Sequence, residues 1–241
     1  MKMALYDIGK LLRENTYPGR GIIIGMTGDG KKAAIVYFIM GRSENSRNRV
    51  FERTGNGMRT RAYDESKLTD PSLIIYNPFL SLPGTDIITN GDQTETIFET
   101  IQAGKSFRQA LDTRRFEPDA PHYTPRISAL LARDGIDLSI VRRAGCDGSC
   151  LRRYWHFAPV PGQGHLLHTY QQNGTPLPPF IGAPRPLAIP ADPAALCRSL
   201  WDALPRDYRI ALCVRYTDLA TGQFVSCLEN LHGASSWNNS N

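Results

Sequence analysis

The stretch Gly21-Ile22-Ile23-Ile24-Gly25-Met26-Thr27-Gly28-Asp29-Gly30-Lys31-Lys32-Ala33-Ala34-Ile35-Val36-Tyr37-Phe38-Ile39-Met40 decides the fold class. Its two apolar runs, Gly21–Met26 and Ala33–Met40, are rich in isoleucine, valine and alanine and flank Thr27-Gly28-Asp29-Gly30. Apolar runs of strand length around a Gly/Asp turn predict an antiparallel hairpin. Ser72–Tyr76 and Asp86–Thr89 read as a second strand pair, joined by the Pro/Gly-bearing stretch from 78 to 84. Near the C-terminus, Ile210–Tyr216 and Gln223–Leu228 read as a third, around Thr221-Gly222.

Between these hairpins the period changes. Ile97, Ile101, Phe107 and Leu111 recur at helical spacing, with Thr94 as the expected N-cap, Glu95 in the first turn and Gly104 dividing two helical pieces. A polar linker from Glu117 to Tyr123 follows, and strand-like runs return at Ile136–Arg142 and Arg152–Val160. The segment 174–193 holds seven prolines, so it is expected to be extended and to form neither a central strand nor a helix. Asp192-Pro193 then opens a helix through Leu204 with Asp192 as N-cap. Antiparallel pairs interrupted by two helical blocks predict an α+β fold, mostly antiparallel. Both halves contribute strands, so residues 1–234 read as one domain and the Ser/Asn-rich residues 235–241 as a flexible tail.

Immediately after the first hairpin comes Gly41-Arg42-Ser43-Glu44-Asn45-Ser46-Arg47-Asn48-Arg49-Val50-Phe51. Arg42, Arg47 and Arg49 offer planar forks of donors that match phosphate oxygens, interleaved with hydrogen-bonding Ser43, Asn45, Ser46 and Asn48. The alternative is a solvated charged loop. Residues 89–94, Thr89-Asn90-Gly91-Asp92-Gln93-Thr94, place backbone amides at a helix start, where they can face an anion or simply connect strand to helix. Tyr123-Thr124-Pro125-Arg126 sets a phenol, a hydroxyl and a guanidinium on a proline-stiffened stretch; Tyr76-Asn77 and Thr169-Tyr170-Gln171 are either ligand contacts or core.

Composition narrows the classes. The chain has 241 residues, 41% hydrophobic and 21% charged, with net charge +5, ordinary for a globular protein and compatible with small anionic ligands. Aromatics are not interleaved with the arginines of 42–49, which argues against nucleic acid. The apolar runs are too short to span a bilayer, and the first residues lack signal-peptide character, so no membrane partner and cytoplasmic residence are expected. Five cysteines (146, 150, 197, 213, 227) show no zinc spacing and read as reduced thiols, with Cys213 and Cys227 in buried strands. His165 and His168 lie in a segment that does not read as a helix, and no metal is expected. Nucleophile-elbow, zinc-protease, Walker and dinucleotide fingerprints are absent.

Taken in order, Gly19-Arg20, Arg42-Ser43 with Asn48-Arg49, Tyr76-Asn77, Asn90-Gly91 with Thr94, Thr124-Pro125-Arg126-Ile127 and Thr169-Tyr170 resemble the archaeal-type inosine monophosphate (IMP) cyclohydrolase family. The resemblance runs from about Gly19 to about Gln171. It implies a four-layer αββα sandwich similar to N-terminal-nucleophile hydrolases, no cofactor, and a homo-oligomer. It also implies dehydrative ring closure of 5-formamidoimidazole-4-carboxamide ribonucleotide to IMP. On this reading Tyr76, Arg20 and Arg126 are the expected catalytic residues. Substrate binding is expected from Arg42, Ser43, Arg47, Asn48, Arg49, Asn77, Asn90, Gly91, Asp92, Gln93, Tyr123, Thr124 and Tyr170, with Arg42, Tyr76, Asn90 and Arg126 converging on one pocket. The chain departs from the family in having Gln171 where its archaeal members resemble Thr-Tyr-Glu, and in its proline-rich segment. An amide-bond hydrolase using Ser43 or a cysteine, and a non-catalytic nucleotide-binding module, are the competing readings.

Overall fold

In the computed structural model, which describes residues 4–233 and 235–239, the first hairpin forms as expected. Strands β1 (Arg20–Met26) and β2 (Lys32–Met40) pair antiparallel with Ile22 opposite Tyr37 and Ile24 opposite Ile35. Gly30 sits at φ +70° in the turn, a conformation that suits glycine. Helix α1 (Ile8–Glu14) precedes the hairpin, and the short α2 (Glu44–Arg47) follows it. Next come β3 (Arg49–Thr54), β4 (Gly57–Ala62), β5 (Phe79–Leu82), β6 (Thr85–Thr89), α3 (Gln93–Gln102) and α4 (Phe107–Asp112). The remainder is β7 (Arg126–Ala132), β8 (Gly135–Arg143), β9 (Cys150–Phe157), β10 (Gln163–His168), β11 (Arg185–Ala188), α5 (Pro193–Ala203), β12 (Arg209–Asp218), β13 (Phe224–Asn230) and β14 (Ser236–Asn239).

These strands make two seven-stranded antiparallel sheets, ordered β11-β10-β1-β2-β12-β13-β14 and β3-β4-β5-β6-β7-β8-β9. Alternation along each strand divides the core. Ile22, Ile24, Ile35, Tyr37 and Ile39 of the first sheet join Phe51, Met58, Ile88, Ile127, Ala129 and Leu138 of the second in one buried cluster. The opposite faces of the same strands meet helices. Ile23, Val36, Phe38, Leu212 and Val214 pack with Ile8 and Leu12 of α1 and Leu196, Cys197 and Leu200 of α5. Ile87 and Leu130 pack with Ile97, Phe107, Ala110 and Leu111 of α3 and α4. Among the described residues no helix is long and apolar enough to cross a membrane.

Most expected elements are present, but four readings change. Ser72–Tyr76 is not a strand: Pro71 opens a turn whose carbonyl accepts from Ile74 and Ile75, and β6 pairs instead with Phe79–Leu82. Thr94 does not cap α3; the helix starts two residues earlier, behind Asp92, and the Thr94 hydroxyl bonds the Gly91 carbonyl. The polar hairpin β3–β4 forms over residues 49–62, where the sequence predicts no strand. Helix α5 starts as expected, with Asp192 accepting from Ala194 N and Pro193 in the first turn. Within the proline-rich segment only Arg185–Ala188 joins a sheet, at its edge, where a proline nitrogen forfeits no ladder bond. Ser236–Asn239, in the segment expected as a tail, forms β14 against β13.

Candidate active site

A cavity of about 460 Å³ opens near the start of β1, a volume suited to a mononucleotide. It is lined by Tyr17, Arg20, Arg42, Ser43, Asn45, Ser46, Asp70, Leu73, Ile74, Glu117, Asp119, His122, Thr124, Tyr170 and Leu177. Arg20 comes from β1, whose Gly19 neighbour at φ +76° packs too close to Thr169 and Tyr170 for any side chain. The 42–46 residues follow β2, and Thr124 precedes β7, so the ends of neighbouring strands build the site.

Glu117 is the central group. It is 1% exposed, its Oε2 lies 3.8 Å from Arg20 Nη2, and its N–H donates to Thr124 O. Burial pushes its carboxyl up to about 7, against the pull of Arg20, Arg126 and Arg49. The same pairing holds the buried Arg20 guanidinium well above its ordinary value, overcoming the loss of water. Arg49 is fully buried as well; it donates from Nε to Ser46 O and from Nη2 to Ser46 Oγ. Arg20 Nε, Arg49 Nη1 and Glu117 Oε2 have no hydrogen-bond partner within the protein. Three orphaned polar atoms on mutually interacting charged groups call for a polar ligand. Tyr76 is buried, its hydroxyl 2.8 Å from Tyr37 Oη.

Around the mouth, Arg42 Nη1 donates to Asn173 Oδ1 and Gly174 O, and its Nη2 lies 3.2 Å from His122 Nε2. Leu177 N–H donates to His122 Nδ1, so Arg42 and His122 together hold the start of the proline-rich segment against the cavity. Desolvation and the Arg42 charge lower the His122 pKa and favour its neutral form. Thr124 Oγ1 bonds both Asp119 and the Tyr170 hydroxyl.

Of the residues singled out in the sequence, Arg20, Arg42, Ser43, Thr124 and Tyr170 line this cavity, and Tyr76 and Arg49 are buried outside its lining, within electrostatic reach of Arg20. The others lie outside its lining. Arg47 donates to Asp207 O, Asn48 is tied to the Asp64 backbone, and Asn77 donates to Glu95. Tyr123, at φ +45°, packs edge-on against Phe116 beneath Arg143. Arg126 is spent on Asp92, Gln93 Oε1 and Arg115 O. Asn90 donates to Pro125 O and accepts from Ile127 N and Gln93 Nε2, pinning the helix start to β7. Gly91 is hemmed in: a Cβ there would lie 2.5 Å from Arg126 Nη1 and 3.3 Å from Glu117 Oε1. This second network therefore backs the wall that carries Glu117. Asn90→Ala leaves buried backbone groups unpaired and is expected to lower stability by about 2–4 kcal/mol, read as a thermal midpoint falling roughly 5–15 °C.

Sequence reasoning passed over Glu117, Asp119 and His122 inside a polar linker, and Tyr17 before the first strand. Gln171, the position of the departure from the family, is exposed and not part of the lining.

A cavity with buried guanidiniums and a carboxyl titrating near neutrality is the equipment of an enzyme for small anionic substrates. The chain belongs to the IMP cyclohydrolase-like protein family, whose model matches residues 17–222 and so takes in every residue of the cavity. It is 28% identical over 169 residues to the IMP cyclohydrolase of Methanopyrus kandleri, covering 62% of this chain and 81% of that protein. It is 31% identical over 137 residues to the IMP cyclohydrolase of Methanocella arvoryzae, covering 55% of this chain and 66% of that protein.

Proposed function

We propose that this protein closes the pyrimidine ring of IMP from 5-formamidoimidazole-4-carboxamide ribonucleotide, with loss of one water, using no cofactor. The observation that carries the reading is Glu117, a buried carboxyl with a pKa of about 7 paired with Arg20 in a nucleotide-sized cavity. The carboxamide nitrogen attacks the formyl carbon while the Glu117 carboxylate takes the N–H proton. Arg20, which lines the cavity, faces the formyl oxygen as it gains charge, and the buried Arg49 adds its field from outside the lining. The protonated Glu117 gives this proton to the oxyanion, forming a hydroxyl; Glu117 then takes the formamido N–H proton and passes it to that hydroxyl, which leaves as water as the ring C–N double bond forms. Tyr76, held by Tyr37, lies outside the cavity lining and is assigned to support Arg20. Holding the two reacting groups in contact supplies much of the acceleration.

Arg42, Ser43, Asn45 and Ser46 at the mouth are assigned to the 5′-phosphate. Arg42→Ala is expected to raise KM about 10- to 100-fold with kcat changed less than about threefold, measured by steady-state kinetics. The activity itself is tested by incubating purified protein with the formamido ribonucleotide and following the ultraviolet spectrum towards that of a hypoxanthine nucleotide. No acceleration over buffer would sink the assignment.

Helices α1 and α5 on one sheet and α3 and α4 on the other support the four-layer αββα reading, akin to N-terminal-nucleophile hydrolases. Strands from both halves in each sheet support a single domain. Assembly as a homo-oligomer in the cytoplasm belongs to the same proposal, the first part testable by light scattering. The hydrolase reading is weaker, because Ser43 Oγ accepts the Ser46 N–H as a helix cap and, among the described residues, no base is bonded to it.

A further inference from the structure

Two cysteines far along the chain meet on the helix-covered face of the first sheet. Cys197 lies on the buried side of α5 beside Leu196 and Leu200, and Cys227 on β13. Both are 0% exposed, and their sulfurs are 2.7 Å apart. Strand register separates the third candidate. Cys213 pairs with Leu228, whose side chain enters the cluster between the sheets, whereas Cys227 pairs with Val214 on the helix side.

We infer that Cys197 and Cys227 form a redox-responsive cross-link that ties α5 to β13. Glu229 stands beside the pair, its Oε1 3.7 Å from Cys227 Sγ, and the three side chains together invite a metal as the alternative. Distance decides between them. Two thiolates on a tetrahedral zinc sit about 3.7 Å apart, whereas bonded sulfurs sit at about 2.0 Å. At 2.7 Å the pair is closer to the bond than to shared ligation. Cys227 and Glu229 both lie beyond the residues that the family model matches, so the pairing is a feature of this chain's own C-terminal hairpin.

The oxidant is a peroxide. The Cys227 thiol gives its proton to Glu229 and attacks one peroxide oxygen, which breaks the O–O bond and releases water with formation of a sulfenic acid. Cys197 sulfur then attacks the Cys227 sulfur, the S–O bond breaks, and the hydroxyl leaves as a second water with the Cys197 proton. One peroxide is reduced to two waters and two thiols are oxidised to one disulfide. The cross-link closes a loop over 30 positions, which restricts the unfolded chain more than the folded one.

The test uses the full chain treated with millimolar hydrogen peroxide, then denatured, alkylated and digested. The expected product is a peptide joining Cys197 to Cys227 and lost on reduction, with the thermal midpoint raised by roughly 10 °C. In Cys197→Ser the linked peptide vanishes and peroxide no longer raises the midpoint. Two results overturn the inference. One is five alkylated thiols after exposure; the other is stoichiometric zinc in protein purified without chelator, with thiols that resist peroxide. Neither cysteine lines the cavity, so ring-closure assays stand apart from this outcome.

Discussion

Glu117→Gln is expected to lower kcat by about 100- to 10,000-fold, the range of a positioned acid/base group. Glutamine keeps the shape and a hydrogen-bonding oxygen but neither takes nor gives a proton at neutral pH. In the unmodified protein the ionised carboxylate is the active form. Because burial lifts its pKa to about 7, kcat/KM should fall about tenfold per pH unit below that value and level off above it. The variant should lose this limb, leaving a low and nearly flat profile. Binding of IMP, measured by calorimetry, should change less than about tenfold, since Arg42 and the mouth residues are untouched. A variant with more than a third of the original kcat would remove Glu117 from the chemistry and return the proton transfer to Tyr76.

That the decisive carboxyl was not legible in the sequence has a physical explanation. A strand announces itself by a run of apolar residues, and β1, β2, β12 and β13 were all readable in that way. The β3–β4 hairpin was not, because it exposes Arg59 and half-exposes Glu52 and Arg61, and its buried positions, Arg49, Val50, Phe51, Met58, Thr60 and Ala62, include a cation and a threonine. Glu117 follows α4 in a stretch without periodicity, where a carboxylate reads as solvated. Its burial comes from β1 and the start of β7, about a hundred residues apart in the chain, which bring Arg20 and Thr124 against it. Arg126 shows the converse. Its setting beside Thr124 suggested a ligand contact, but Asp92, Gln93 and Arg115 absorb its donors. Local spacing reports which groups are near in sequence, and a site is defined by which groups lack partners after folding. Arg20 Nε and Arg49 Nη1 meet that criterion, and both belong to motifs quoted from the sequence.

The same carboxyl should leave its mark on stability, in the direction opposite to most acidic side chains. Its ordinary pKa is 4.5 and its folded value about 7, so below pH 4.5 it is protonated in both states. Between these values the unfolded chain releases the proton while the folded protein keeps it, so stability falls as pH rises. Above pH 7 the loss is complete, at about 3 kcal/mol. Other groups titrate over the same range, so the useful quantity is the difference between Glu117→Gln and the unmodified chain. Glutamine does not titrate, and any fixed cost of leaving Arg20 without its counter-ion is the same at every pH. From pH 4.5 to pH 8 that difference should therefore move in favour of the variant by about 3 kcal/mol, seen in urea unfolding or as a relative gain of roughly 6–12 °C in thermal midpoint. A difference that stays flat across this range would mean that Glu117 ionises near its ordinary value, held there by Arg20, and would deny it a proton to return at neutral pH. A difference that moves as stated, joined to the loss of kcat, would mark Glu117 as a group whose burial destabilises the fold at working pH while supplying the proton transfer that ring closure requires.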